Sequence, residues 1–217
     1  MCSDPLDEQP NALGNDVSSA QRGLQLSVKR LTDVVVSLVV LALAWPLFLL
    51  ISILVKLSSP GPVFFVQDRV GKDEKPFRIL KFRSMTVPSD RDEALNKRET
   101  DADRITPIGK LLRDYGLDEL PQLLNILKGD MSLVGPRPPL PRHVRSYTER
   151  QRKAFQMRPG GFSLAGFRGR RTIPMEERIE LHVQYVETWS LWLDWVIILR
   201  CIPVILRRRD VDECTSA

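Results

Sequence analysis

The sequence predicts a mostly helical α+β protein whose N-terminal part is a membrane helix. Three observations carry that prediction: an unbroken apolar run at residues 34–55, two short strand-like runs around a polar turn, and leucines at helical spacing after residue 106. At 217 residues the chain can bury a core without cross-links. Its 43% hydrophobic and 27% charged residues exclude a disordered chain.

The apolar run has no charge in 22 residues, and its only polar side chains are Ser37 and Ser52. As a helix it would be about 33 Å long, enough to cross a hydrocarbon core. Lys29 and Arg30 precede it, Lys56 follows it, and Pro46 sits near its middle. Basic residues at both ends give no orientation by the positive-inside rule. The residues alone therefore allow a straight span or a helix that enters, bends at Pro46 and leaves on the same side.

After the SSPGP turn, residues 63–66 and 77–82 read as strands joined by a loop at 71–76. Residues 88–104 are dense in both charges and read as a solvated loop or surface helix. Thr106-Pro107 starts a helix, with a capping hydroxyl and a proline in the first turn, and Ile108, Leu111 and Leu112 form its buried stripe. A second helix begins near Asp118, with Pro121 in its first turn, Leu120, Leu123, Leu124 and Leu127 at helical spacing, and Gly129 as its stop. From 174 to 209 the chain reads as helix, with Trp189, Trp192 and Trp195 on one face and Arg207 to Arg209 at the end, as at a membrane interface.

The net charge of +5 suits nucleic acid, anionic lipid and phosphate-bearing substrates alike, so it selects none of them. Cys2, Cys201 and Cys214 are far apart without metal-ligand spacing, which points to free thiols in a reducing compartment. With only His143 and His182, a histidine-based zinc site or triad is excluded as a working reading. The acidic, Pro- and Ser-rich start lacks the pattern of a secretory signal and reads as a mobile tail.

Three phrases hold candidate chemistry. Asp118 and Glu119 lie at the start of the second helix, where the dipole and free N–H groups favour an ionised carboxylate and can hold a phosphate. Gln122 and Asn125 share the face of Asp118. Acidic residues in a first turn are also ordinary caps, so this pair alone proves nothing. Arg137 stands between prolines that restrict its backbone, which suits a fixed phosphate-binding guanidinium; a proline-rich turn reads the same way. In the basic phrase at 67–85, Lys81 and Arg83 share a strand face with Phe77 and Ile79, so some basic groups point inward toward an anionic ligand.

Taken in order, the phrases KRLTD (29–33), SPGPVFFVQDRVG (59–71), FRILKFRSM (77–85), LDELPQLLNILKGDMSLVGPRP (117–138), RPG (158–160) and YVETWSLWLD (185–194) resemble the bacterial sugar transferases, the small monotopic phosphoglycosyl transferases. The resemblance implies transfer of a sugar 1-phosphate from a UDP-sugar to undecaprenyl phosphate, with UMP released. Asp118 would attack the β-phosphorus and carry a covalent phosphosugar, and Glu119 would assist. Mg²⁺ would be the cofactor, with Asp118 as its ligand. Arg113 and Arg137 match arginines near the phosphates, and Lys81, Arg83, Gln122 and Asn125 complete the expected substrate-binding set. The resemblance also tips Pro46 toward a re-entrant helix.

The expected architecture is then a mobile tail at 1–28, a re-entrant membrane helix at 29–57, a compact cytoplasmic catalytic domain at 58–209 with amphipathic interfacial helices, and a C-terminal tail at 210–217. The expected setting is the cytoplasmic face of a bacterial inner membrane, with no nucleic acid as partner and room for a homodimer. The sequence departs from the family's pattern in places. Trp45 precedes the proline where Ser is common, Gly116 replaces a common Ser, and His182 stands where Asp is frequent. Residues 161–171 read GFSLAGFRGRR, keeping only Gly169-Arg170 of the usual phrase, which leaves the donor sugar open. The competing readings are a non-catalytic membrane-surface module of the same fold and a nucleic-acid binder supported by charge alone.

Overall fold

A computed structural model of the chain describes residues 19–86, 104–167 and 173–206. The charged stretch at 88–103, the pair Gly169-Arg170, Arg207 to Arg209, Cys2 and Cys214 lie outside the described residues.

Helix α1 runs from Ser19 to Ser58 with Pro46 inside it, so residues assigned to the tail already enter the helix at Ser19. The expected break at Pro46 does not end the helix: a proline removes one hydrogen bond to the preceding turn while its neighbours keep theirs. Lys29, Asp33, Ser37, Ile51 and Val55 are buried along one stripe, whereas Leu38, Val39, Leu43, Trp45 and Leu50 are exposed. The helix is long and apolar enough to cross a membrane, yet only 11% of its most apolar stretch is buried. That decides against a soluble core helix, whose apolar faces would be covered by protein.

Strands β1 (Phe64–Val70) and β2 (Pro76–Phe82) form an antiparallel hairpin, with Phe64 opposite Phe82 and Val70 opposite Pro76. β2 runs close to its expected position, whereas β1, expected over 63–66, continues to Val70; Val, Ile and Phe favour the pleated surface and the Gly71–Lys75 stretch closes the turn. Phe82 lies between Phe48 of α1 and Phe64, with ring centroids 4.7 and 5.6 Å away. Helix α2 (Pro107–Asp114) starts where Thr106 accepts the Gly109 N–H, as its sequence predicts. Ile51, Val55, Phe82 and Leu112 form a core of their own, but Leu111, expected in that stripe, is exposed.

Helix α3 (Gln122–Lys128) ends at Gly129, whose φ of 98° is left-handed and favours glycine. It leads into β3 (Ser132–Val134), which pairs in parallel with β4 (Gly160–Phe162). Between these strands lie the short helices α4 (Pro141–Val144) and α5 (Glu149–Arg152). Helices α6 (Leu164–Phe167), α7 (Met175–Glu187) and α8 (Leu191–Leu206) complete the described fold. The main core joins Ile79, Ile126, Met131, Leu133, Val134, Tyr185, Ile197 and the buried Cys201.

The C-terminal stretch, expected to be helical with interfacial helices, is divided into two helices at residues 188–190. Ser190 accepts the Leu193 N–H and caps α8, so the chain restarts rather than continues. Trp189 therefore leaves the shared face and donates to Asp194, while Trp192 and Trp195 remain exposed on α8.

Helix α1 is fastened to this one body at two places, around residues 29–33 and around 51–55. At the first, Lys29 donates to Asp194 (2.6 Å) and to the Val134 carbonyl (2.9 Å), and Asp33 accepts the Leu133 N–H (2.9 Å). Arg30 donates to the carbonyls of Ile126 and Leu127 at the end of α3. At the second, Ile51 and Val55 pack against Phe82 and Leu112.

Candidate active site

The chain after α2 turns at Gly116, whose φ of 67° is left-handed. One turn of 3₁₀ helix, Leu117–Glu119, then presents Asp118 and Glu119, and Pro121 stands before α3. The acidic pair thus precedes the α-helix instead of opening it, and the helix-dipole argument for keeping Asp118 ionised loses its basis. Only seven residues of α-helix follow, beginning at Gln122.

Charged neighbours set the two carboxyls instead. Asp118 is 8% exposed. Burial raises its pKa, Glu119 adds to the rise, and Lys81, Arg113 and Arg137 oppose it. Among the described residues no side chain donates a hydrogen bond to it, so its carboxylate is uncommitted. Glu119 is the reverse case. Its Oε1 accepts from Lys81 Nζ at 2.6 Å and from Arg137 at 2.7 Å. Burial disfavours its charge, but Arg137 and Lys81 outweigh that and hold the carboxyl well below the usual range. Neighbours in sequence, the two acids differ in readiness: one is open, the other is clamped.

Three elements deliver the cations. Lys81 lies on β2, where alternation points it toward the 3₁₀ turn. Arg113 lies in the last turn of α2 and acts on Asp118 through its charge. Arg137 follows β3 in a loop fixed by backbone contact: a Cβ on Gly135 would come within 2.3 Å of the Arg158 carbonyl, and one on Gly160 within 2.0 Å of the Gly135 nitrogen. Glycine is required at both positions because the two segments touch main chain to main chain. Arg69 on β1 holds the same loop by donating to the Pro138 carbonyl (3.1 Å), and the Val70 N–H donates to Pro139 (3.1 Å). With half its side chain exposed, Arg137 can reach a bound anion while keeping Glu119.

The other expected residues separate. Gln122 is buried at the start of α3 behind the acidic turn. Arg83 is 4% exposed and donates to the carbonyls of Val55, Ser59 and Pro60, so it closes the C-terminal end of α1 outside the cluster. Asn125 spends its amide on β2, accepting from the Leu80 N–H (3.0 Å) and donating to the Arg78 carbonyl (2.7 Å). Sequence reasoning counted Arg69 only among the basic groups of 67–85 and passed over Arg158, with its bond to the Gly129 carbonyl (2.9 Å), and the buried group Lys29, Asp194 and Tyr185. Their positions within the phrases KRLTD, SPGPVFFVQDRVG, RPG and YVETWSLWLD were the only signal.

His182 lines a cleft with Pro136, Arg137, Pro138 and Tyr147. Among the described residues its buried Nδ1 has no partner, and burial, then Arg137 and Arg178, pushes its pKa down to about 3. It is therefore neutral at ordinary pH and supplies no counter-charge to Arg137.

The arrangement sets three cations against two carboxylates around one uncommitted buried oxygen pair, which suits a group carrying several phosphoryl oxygens. Among the described residues no three His, Cys, Asp or Glu side chains gather into a metal cage.

The bacterial sugar transferase family matches residues 24–208. A UDP-glucose:undecaprenyl-phosphate glucose-1-phosphate transferase of Caulobacter vibrioides is 45% identical over 186 residues, 82% of this chain and 69% of that protein. A protein of the same name from Klebsiella pneumoniae is 43% identical over 83% of this chain, which spans only 40% of that protein. An uncharacterized sugar transferase of Bacillus subtilis is 40% identical, with 86% of this chain and 91% of that protein covered. With the match spanning α1, the acidic turn and the C-terminal helices, the chain belongs to the bacterial sugar transferase family.

Proposed function

We propose that the protein transfers a sugar 1-phosphate from a UDP-sugar to undecaprenyl phosphate at a membrane surface, releasing UMP. The observation that carries this reading is the contrast between the carboxyls: Asp118 is buried, uncommitted and ringed by Lys81, Arg113 and Arg137, while Glu119 is clamped.

An Asp118 oxygen attacks the β-phosphorus of the donor. The bond from that phosphorus to the bridging oxygen breaks, and UMP leaves with the electron pair. An oxygen of the lipid phosphate then attacks the same phosphorus, the acyl phosphate bond breaks, and Asp118 regains its carboxylate. Splitting the displacement into two steps in this way is ordinary nucleophilic catalysis. Lys81 and the two arginines lower the cost of charge on the phosphoryl oxygens. Because Glu119 is held ionised by two cations, its first task is to fix Lys81 and Arg137; accepting a proton would require releasing them.

The donor set fits Mg²⁺ brought in on the diphosphate, since this ion takes one or two protein carboxylates and fills its shell with phosphate oxygens and water. Asp118 would hold it, and the ion would neutralise phosphoryl charge.

The attachment of α1 supports monotopic placement. Its stretches around 29–33 and 51–55 both grip one body, which a helix crossing the bilayer between them with that body on one side could not do. Exposed Trp192, Trp195 and Leu199 on α8 add an apolar surface suited to the interface. With a nucleotide sugar as donor, the reading has this surface on the cytoplasmic face.

The test is UMP release from UDP-glucose and UDP-N-acetylgalactosamine, the donors in the names of relatives, with Mg²⁺ and undecaprenyl phosphate. Turnover is expected with one of them, and Asp118→Asn is expected to lower it by at least about a thousandfold. Absence of release from any UDP-sugar leaves the non-catalytic membrane module instead. Tags at the N- and C-termini should both resist labelling from outside intact cells; labelling of the N-terminal tag alone would establish a true span.

A further inference from the structure

The side chain of Asn125 does not face the reacting centre, yet it is 2% exposed and every polar group on it is engaged. β2 uses one edge to pair with β1. On its other edge, between Arg78 and Leu80, the strand has an N–H and a carbonyl that point away from β1. Asn125 Oδ1 accepts the Leu80 N–H at 3.0 Å, and Nδ2 donates to the Arg78 carbonyl at 2.7 Å. A carboxamide has one acceptor and one donor group side by side, as a peptide unit does. The neighbours also fix its orientation, since an N–H requires oxygen and a carbonyl requires nitrogen opposite it. The main-chain carbonyl of Asn125 meanwhile receives the N–H groups of Gly129, Asp130 and Met131. One residue thereby ties the end of α3 to the middle of β2.

The next residue on that strand is Lys81, whose ammonium lies 2.6 Å from Glu119. Strand and acidic turn sit on opposite sides of this ion pair, and the turn leads directly into α3. The distance between them therefore depends on how α3 and β2 are joined, and Asn125 is the polar joint. We propose that Asn125 is a positioning residue for the transfer reaction, its carboxamide serving as a third strand along the unpaired edge of β2 and so setting Lys81 against Glu119. The proposal rests on the reaction proposed above.

Asp and Ala probe the joint differently. Asn125→Ala removes both bonds. Asn125→Asp keeps the acceptor for Leu80 but turns an oxygen toward the Arg78 carbonyl and toward Asp130, whose carboxylate lies 3.5 Å from Nδ2. Asn125→Ser, a milder change, serves if Asn125→Ala does not fold.

The experiment is a double-mutant cycle with Lys81→Met in the full chain in lipid nanodiscs, reading turnover and thermal midpoint in parallel. If Asn125 acts through Lys81, its substitution lowers kcat by roughly tenfold or more in the native background and has no further effect once Lys81 is Met, while the fall in thermal midpoint is the same in both backgrounds. Equal fold-losses of kcat in both backgrounds would overturn the proposal and leave Asn125 a purely structural residue. A second readout needs no turnover. A zero-length carbodiimide should join Lys81 to Glu119 in the wild type, detected by peptide mass spectrometry, with several-fold lower yield in the Asn125 variants. Unchanged yield would overturn the positioning role even if the wild type releases no UMP, whereas absent UMP release with the expected change in yield would count against the reaction alone.

Discussion

At the scale of single residues, the site is organised by unequal treatment of adjacent groups. Asp118 and Glu119 share a turn, but among the described residues only Glu119 meets cations at hydrogen-bond distance. In the proposed reaction the uncommitted member reacts, and the clamped member keeps the cations in place. His182 shows the same control by environment. It is held neutral, with a folded pKa of about 3 against an ordinary 6.5. The sign of the linkage follows from that depression: as pH falls from about 6.5 toward about 3, the unfolded chain takes a proton that the folded chain refuses, so stability is lost across that window and is intact above it. In His182→Gln the thermal midpoint should fall less steeply with acid over the same window, by the slope due to one proton. An unchanged slope would show that His182 takes a proton in the folded protein.

At the scale of elements, arginines join helix ends to catalytic pieces. Arg83 binds three carbonyls where α1 ends, and it lies two positions beyond Lys81, just past the end of β2. Arg30 and Arg158 meet the carbonyls at the end of α3. Such carbonyls are left unpaired by the helix itself, and cations complement the dipole there. Arg83→Met fills a similar volume without donors, leaving buried carbonyls unsatisfied at about 1–3 kcal/mol for each group that water cannot reach. A clear drop in thermal midpoint is expected, together with loss of turnover through displacement of β2. Arg83→Lys should recover part of both, since it restores the charge but not the spread of the fork.

At the scale of the molecule, a long apolar helix and a globular body share one frame. The body grips α1 around residues 29–37 and 51–55 and leaves the stretch between them largely bare. Exposed Trp192 and Trp195 extend the apolar surface to α8. Replacing both by Ser should leave the fold intact, because neither is part of the core, and should weaken membrane partition by roughly tenfold per side chain withdrawn from lipid. Flotation of the variant with liposomes measures this; undiminished flotation would show that α1 alone holds the protein to the membrane.

Much of this protein was legible in its sequence because the relevant physics is local. An uncharged run of 22 residues specifies a membrane-compatible helix wherever it lies. Thr106 before Pro107, the strand run at 77–82 and Gly129 after the leucines marked real element boundaries. The resemblance of ordered phrases indicated the family, and the match over residues 24–208 established it. What only the tertiary structure decided were relations between distant segments. The Ser190 cap moved Trp189 off the tryptophan face. Positive φ at Gly116 put the acidic pair in a 3₁₀ turn, so cations from three elements, not a helix dipole, offset the burial of Asp118. Arg83 and Asn125 carry side chains as fit for phosphate as those of Arg137 and Lys81. No local rule distinguishes them, because a polar group's task depends on which unpaired partner lies nearest in space, and that is known only once the chain has folded.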